Sequence, residues 1–106
     1  MTHKDFDNFY KQLLEECIQI LKSKGTAYSG TEDRFGNFKR LEKQLGISRF
    51  LIWKVYFQKH LDAIDSFIRG EYHDSEPIRG RIVDCINYLL LLGGMIDEKT
   101  TILSSI

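Results

Sequence analysis

Apolar residues recur every three or four positions through the first quarter of the chain, and this periodicity constrains the fold more than any other feature. The series consists of Phe6, Phe9, Tyr10, Leu13, Cys17, Ile20 and Leu21. Only an α-helix places residues with this spacing on one face. We therefore predict a helix from Asp5 to Lys24, and we expect Gly25 to end it.

The middle of the chain predicts two more helices. A short helix is expected over about Asn37 to Leu45, and Gly46 is expected to stop it. Ser48 is a suitable N-cap for a long helix that continues to about Arg69, because its hydroxyl can accept a hydrogen bond from a free backbone N–H.

The last helix is predicted to begin behind Ser75, which can cap it, and to end near Met95, with Pro77 in its first turn. The glycine-rich segment Gly25 to Gly36 has neither helical nor strand periodicity and is predicted to be a structured loop. No segment resembles a strand. The sequence thus predicts one all-α domain over residues 1–106, a bundle of three long helices, one short helix and the Gly-rich loop.

Charge and hydropathy exclude several classes of protein. Fifteen Lys and Arg balance fifteen Asp and Glu, so the chain has no overall field for nucleic acid or an anionic membrane. The longest uncharged run, Cys85 to Ile96, is shorter than the roughly 18 residues needed to cross a bilayer. The N-terminus has no apolar signal segment. We expect a cytoplasmic protein without a membrane partner, in which the two cysteines are free thiols.

Two polar residues interrupt the otherwise apolar last helix, which is predicted to be almost fully buried. They are Asp84 and Asn87. A buried carboxylate without a partner costs several kcal/mol. Arg81, one turn earlier, is the first candidate partner. His60 is the second, because it lies near the centre of the apolar face of the third helix.

Two interpretations of these polar residues remain open. They could form a structural salt bridge with an asparagine network that fixes the register of the helices. They could instead line a polar cleft between the third and fourth helices that holds a ligand or an ion.

The predicted loop and the residues after it interleave cations with aromatics. Such a composition can hold phosphate and stack on a base, although Phe35 and Phe38 could equally fill the interior of the bundle. The candidate binding residues in this part of the chain are Lys24, Tyr28, Arg34, Phe35, Asn37 and Phe38.

Several short motifs resemble small all-helical phage proteins, among them MazG-like nucleotide pyrophosphatases, phage dATP/dGTP diphosphohydrolases and nucleotide-modification-associated domains. The resemblance covers about residues 20–96. Its motifs are Asp33-Arg34-Phe35, Asn37-Phe38, Lys59-His60-Leu61-Asp62-Ala63-Ile64, Gly80-Arg81-Ile82-Val83-Asp84 and Asn87-Tyr88. It implies a MazG-like helical fold, Mg²⁺-dependent removal of pyrophosphate from a nucleoside triphosphate, and a site completed by oligomerisation.

The resemblance also implies a Mg²⁺ site made of an ExxE pair and an ExxD pair, since this ion prefers several carboxylate oxygens. In this chain Asp84 matches the ExxD aspartate, but Arg81 replaces its glutamate. The other pair can only be Asp62 with Asp65, which the helical wheel places away from the core. A guanidinium weakens the binding of a cation and favours phosphate, which it can hold with two parallel hydrogen bonds.

We therefore expect a phage-type protein that binds a phosphorylated nucleotide between helices, in one form of the hypothesis sequestering a nucleotide immune signal as an anti-defence protein. The remaining candidate binding residues are Lys59, His60, Arg79, Arg81, Asp84, Asn87 and Tyr88.

Two alternatives remain. One is a Mg²⁺-dependent nucleotide pyrophosphohydrolase with Asp84 as candidate catalytic residue and Asp62, Asp65 and Asp84 as metal ligands. The other is a protein- or DNA-interaction module built on the helix pair around Gly46. We also expect a homo-oligomer, with the apolar tail Thr101 to Ile106 docked on its own bundle or on a neighbour.

Overall fold

The computed structural model is built of four α-helices: α1 (His3–Ser29), α2 (Gly36–Leu45), α3 (Arg49–Ile68) and α4 (Ile78–Ser105). The structure describes the backbone of residues 1–29 and 32–105 and the side chains of residues 1–25 and 32–100. No strand occurs among these residues, and the all-α prediction is confirmed. The tail that was expected to dock, Thr101 to Ile106, lies outside the described side chains.

The main contact of the bundle joins α3 to α4, while α1 packs mostly on α4 and α2 packs mostly on α3. At their centre lie Phe38, Ile52, Trp53 and Met95. The indole Nε1 of Trp53 donates a hydrogen bond to the carbonyl oxygen of Tyr88 at 2.7 Å. This bond crosses from α3 to α4, so the largest core side chain also has its polar atom satisfied.

The boundaries around α2 and α3 agree with the sequence. Gly46 ends α2 with φ of 69° and donates its N–H to the carbonyl oxygen of Glu42. This left-handed conformation carries little penalty for glycine. The hydroxyl of Ser48 accepts a hydrogen bond from the N–H of Phe50 at 3.1 Å, so the predicted N-cap of α3 is confirmed.

The predicted end of the first helix is wrong, because α1 continues through Gly25 to Ser29. Among the described glycines only Gly46 and Gly70 have positive φ. Gly25 instead leaves room for a neighbour, since a Cβ there would lie 2.8 Å from Nε of Arg34. The cost of about 1 kcal/mol for a glycine inside a helix is small enough for the helix to continue.

The predicted bounds of the last helix also need correction, because α4 runs ten residues beyond Met95, to Ser105. Its first residue is Ile78, so Pro77 lies just before the helix and not in its first turn. In the turn before α4 the N–H of Glu76 donates to Oδ1 of Asp74 at 3.1 Å. Nor is α4 almost fully buried in the single chain. Four of its apolar side chains are 39 to 53% exposed: Ile82, Leu89, Leu90 and Ile96.

Both cysteines are buried free thiols, as predicted. Burial raises the pKa of Cys17 and of Cys85, so both thiols stay protonated and unreactive at neutral pH. None of the helices within the described residues combines the length and the apolar composition needed to cross a bilayer.

Two adjacent glycines of α4 should respond oppositely to the same substitution. A Cβ at Gly94 would lie 2.7 Å from Cζ of Phe35, whereas a Cβ at Gly93 would meet nothing within 4 Å. We expect Gly93→Ala to raise the free energy of unfolding by about 0.5–1 kcal/mol, the helix propensity gain. Gly94→Ala should lower it by about 1–3 kcal/mol through overpacking. Urea unfolding of both variants at one protein concentration checks this, and equal effects would contradict the packing of Phe35 on α4.

Candidate functional site

All four helices, with Arg34 just before α2, contribute to one cleft of about 420 Å³. Its volume falls within the range of small-molecule sites in proteins. Nine of the predicted ligand-binding residues line it: Lys24, Arg34, Asn37, Phe38, Lys59, His60, Asp84, Asn87 and Tyr88. The structure thus brings together most of the residues that the sequence singled out, although they come from distant parts of the chain.

Three other candidates are placed differently. Arg79 donates to Oε2 of Glu16 at 2.9 Å and lies over the ring of Phe9, 5.3 Å from its centre, so it ties α4 to α1 instead of lining the cleft. Phe35 packs against the core, which is the alternative that the sequence left open. The third, Arg81, is described below. The side chain of Tyr28 lies outside the described residues.

The buried carboxylate of Asp84 pairs with Lys24 and lies against His60, residues of two other helices. Its Oδ1 lies 3.2 Å from Nζ of Lys24 on α1, and its Oδ2 lies 3.5 Å from Nδ1 of His60 on α3. The prediction that Arg81 is its first partner is wrong, because that guanidinium pairs with Asp74 and Glu76 in the turn before α4. The second predicted partner, His60, is close to Asp84 as expected.

Arg81 does not line the cleft itself, but it contacts His60, which does. Its Nη1 lies 3.2 Å from Nδ1 of His60. Since a guanidinium can only donate, Nδ1 must accept, and the neutral ring carries its proton on Nε2. Burial lowers the pKa of His60, and the charge of Asp84 opposes this effect only in part. His60 is therefore neutral at pH 7 and orders the site without adding charge.

Asn87 presents an unsatisfied acceptor beside the cleft. Its Nδ2 donates to the carbonyl oxygen of Cys17 at 3.1 Å, and this bond fixes which end of the amide is oxygen. The buried Oδ1 has no hydrogen-bond partner within the described part of the chain. An acceptor that is left unpaired in this way costs about 1–3 kcal/mol, so a ligand that donated a hydrogen bond to it would recover part of that cost.

Aromatic side chains form much of the remaining wall. The ring of Tyr56 meets that of Phe38 edge to face, with the ring centres 6.3 Å apart, and Tyr88 lies beside His60 with centres 5.1 Å apart. Sequence reasoning missed four lining residues. Each is three or four positions from a predicted one on the same helix, a spacing that could have found them: Leu21, Leu41, Tyr56 and Leu91.

The aspartates that the resemblance would use for Mg²⁺ are not brought together within one chain. Asp62 and Asp65 are exposed, and Asp62 accepts a hydrogen bond from Gln58 at 2.7 Å. Asp84 is buried against Lys24 and His60. Among the described residues no group of three His, Cys, Asp or Glu side chains is placed to hold a metal ion. The carboxylates of a single chain therefore do not fit the implied magnesium site.

The balance of charge in the cleft differs from that of the whole chain. Lys24, Arg34 and Lys59 supply three positive charges, and Asp84 supplies the single carboxylate. The cleft is thus positive although the total charge is zero. Low-dielectric walls concentrate such a field and attract an anion.

In comparison with known proteins, no protein-family model, curated protein or solved structure gives a significant match to this chain. The geometry of the cleft is therefore the basis for the function proposed below.

The neutral His60 predicts how stability depends on pH. Because the unfolded chain binds a proton at His60 more readily than the folded chain, the free energy of unfolding should fall as the pH drops below the ordinary histidine pKa of about 6.5. The loss should level off below the folded-state pKa.

Urea unfolding between pH 7.5 and pH 5.5 measures this loss. His60→Gln should reduce the dependence, whereas His73→Gln, at an exposed position, should leave it as in the wild type. An unchanged dependence in His60→Gln would contradict the assigned protonation state.

Proposed function

We propose that this chain binds a phosphorylated nucleotide in the cleft and holds it without turnover, as a homo-oligomer. The observation that carries the proposal is the composition of the cleft, in which three cations outnumber one carboxylate beside aromatic walls. A nucleotide combines the two matching parts, an anionic phosphate and a flat base.

The cations suit the phosphate. Arg34 can hold two phosphate oxygens with parallel hydrogen bonds, and Lys59 is an exposed point charge on the same cleft. Lys24 pairs with Asp84 and is 46% exposed at its side chain. It can therefore turn from Asp84 toward an arriving phosphate without a rearrangement of the helix.

The aromatic residues suit the base. Tyr56 lines the cleft and remains 45% exposed, so a ligand would cover apolar ring surface that water now contacts. Stacking of a base on an aromatic side chain contributes about 1–3 kcal/mol and tolerates any base. Phe38, edge-on to Tyr56, fixes that ring in place.

The position of the carboxylates favours binding over hydrolysis. A pyrophosphohydrolase of the kind that the resemblance implies needs carboxylates gathered around Mg²⁺. Here Asp84 is buried in an ion pair with Lys24 and lies against the neutral His60, while Asp62 and Asp65 lie on the exposed side of α3. Sequestration of a nucleotide immune signal in a phage-infected host is the setting we propose for such a protein.

The DNA-interaction alternative receives less support. In that alternative α3 would be the recognition helix, and two of its residues, Ile52 and Trp53, belong to the buried core. A recognition helix needs a polar outer face to read base edges, whereas the exposed residues among positions 49–55 are Leu51, Val55 and a single polar one, Lys54.

Removal of one cleft cation should weaken nucleotide binding, whereas removal of a matched lysine should not. We expect Lys59→Ala to raise the dissociation constant about tenfold or more, since a hydrogen bond to a charged group contributes roughly 1.5–3 kcal/mol. Lys54→Ala is the control, because Lys54 is exposed on the same helix and bonds Gln58 at 2.8 Å.

Isothermal titration with a panel of nucleotides measures both variants. Equal affinities for Lys59→Ala and the wild type would contradict the site, as would a panel in which no nucleotide binds.

Asp84→Asn separates binding from catalysis, because the two functions predict opposite results. If the chain only binds, loss of the carboxylate removes a negative charge and releases Lys24, so affinity for the phosphate should rise. If the chain is a pyrophosphohydrolase, the same variant should lose turnover.

The measurement is titration together with product analysis after incubation with nucleotides and Mg²⁺, with helicity recorded to show that the variant folds. Multiple turnovers by the wild type that Asp84→Asn abolishes would refute the proposal of binding alone.

A further inference from the structure

The two ring nitrogens of His60 have different surroundings. Nδ1 is turned toward α4, where Nη1 of Arg81 lies 3.2 Å away and Oδ2 of Asp84 lies 3.5 Å away. Nε2 lies on the other edge of the ring and has no hydrogen-bond partner among the residues that the structure describes. It is not one of the fully buried polar atoms either. Because His60 lines the cleft, Nε2 is the ring nitrogen that a ligand can reach.

The two neighbours of Nδ1 favour opposite positions for the ring proton. A carboxylate favours a proton on Nδ1, which could then donate to Asp84. A guanidinium can only donate, so Arg81 favours an unprotonated Nδ1 and a proton on Nε2. The choice between these tautomers decides whether a ligand meets a hydrogen-bond donor or an acceptor at Nε2.

The other contacts of Asp84 and Arg81 decide between the tautomers. Lys24 already supplies Asp84 with a cation at 3.2 Å, so the carboxylate does not depend on the ring proton. Asp74 and Glu76 hold the guanidinium in place from the turn before α4. The hydrogen bond with Asp74 also raises the pKa of Arg81, so this side chain stays a donor. A proton on Nδ1 would place two donors face to face at 3.2 Å, and a donor left without an acceptor is costly.

We propose that Arg81 is a positioning residue of the cleft, which keeps the proton of His60 on Nε2 so that this N–H donates a hydrogen bond to the ligand. Arg81 does not line the cleft and acts only through the imidazole ring. The ligand must then bring an acceptor to this point, either a phosphate oxygen or a carbonyl or ring nitrogen of its base. The ligand part of this inference rests on the proposed function, whereas the tautomer exists with or without a ligand.

Long-range ¹⁵N–¹H correlation spectra of the imidazole, recorded without ligand at about pH 8, test the tautomer. The wild type should carry the proton of His60 on Nε2. Arg81→Met removes the donor, so the proton should move to Nδ1 and donate to Asp84. Arg81→Lys keeps a donor and should keep the wild-type tautomer. The control Arg69→Met removes a guanidinium that is 56% exposed and pairs with Glu71, so it should also leave the tautomer unchanged.

Affinity for a nucleoside triphosphate shows whether the tautomer matters for recognition. We expect Arg81→Met to bind it about tenfold more weakly than the wild type, because the cleft then presents an acceptor where the ligand needs a donor. Loss of the positive charge of Arg81 would also weaken binding, but it would leave the proton on Nε2. The spectra therefore separate a positioning role from a purely electrostatic one.

Titration of the wild type with a nucleoside triphosphate and, separately, with inorganic triphosphate identifies the acceptor. A shift of the Nε2 signal with both compounds assigns the acceptor to phosphate, and a shift with the nucleotide alone assigns it to the nucleoside part. A nucleotide that binds in the cleft but leaves Nε2 unshifted would contradict the role in recognition.

Two results would overturn the positioning role of Arg81. One is a proton on Nδ1 of His60 in the wild type, which needs no variant and counts even if Arg81→Met does not fold. The other is a proton that stays on Nε2 in a folded Arg81→Met. If no nucleotide binds to the wild type, the proposed function fails, and the tautomers still decide the role of Arg81.

Discussion

The buried carboxylate of Asp84 is the group on which the arrangement of the helices depends. It interrupts a helix that is otherwise apolar on most sides, and a carboxylate there must be compensated. Lys24 on α1 and His60 on α3 approach it from two directions. The ion pair with Lys24 supplies this compensation and joins α1 to α4, while the neutral His60 packs against the carboxylate from α3. The cleft opens where these three helices meet, and the three residues give it its polar character.

A second set of ion pairs, centred on Arg81, positions His60. Arg81 is anchored by Asp74 and Glu76 and donates to the imidazole of His60. That bond, together with burial, keeps His60 neutral, so the positive charge of the cleft comes from the lysines and Arg34. The chain is neutral in total because the balancing carboxylates lie elsewhere. A positively charged cleft can thus form in a protein whose total charge is zero.

The sequence predicted the fold class and most of the cleft, but not the ends of two helices or the partners of the ion pairs. The apolar periodicity was sufficient to predict the helices and their arrangement as a bundle, because each helix must bury its apolar face against another helix. The sequence alone, however, does not distinguish a glycine that stops a helix from one that makes room for a neighbouring side chain. Gly25 and Gly94 do the latter, for Arg34 and Phe35. The choice of Lys24 over Arg81 as partner for Asp84 depends on contacts between helices, which local spacing does not contain.

The most direct test of the central claim is a two-dimensional ¹⁵N–¹H NMR titration with a nucleoside triphosphate and, separately, with the matching nucleoside. We expect the triphosphate to shift the signals of residues lining the cleft, including the side-chain amide of Asn87 and the backbone amides of Lys59 and His60. The nucleoside should shift the same signals far less, since it lacks the phosphate that the cations hold. Equal shifts with both compounds, or shifts confined to residues outside the cleft, would contradict the account.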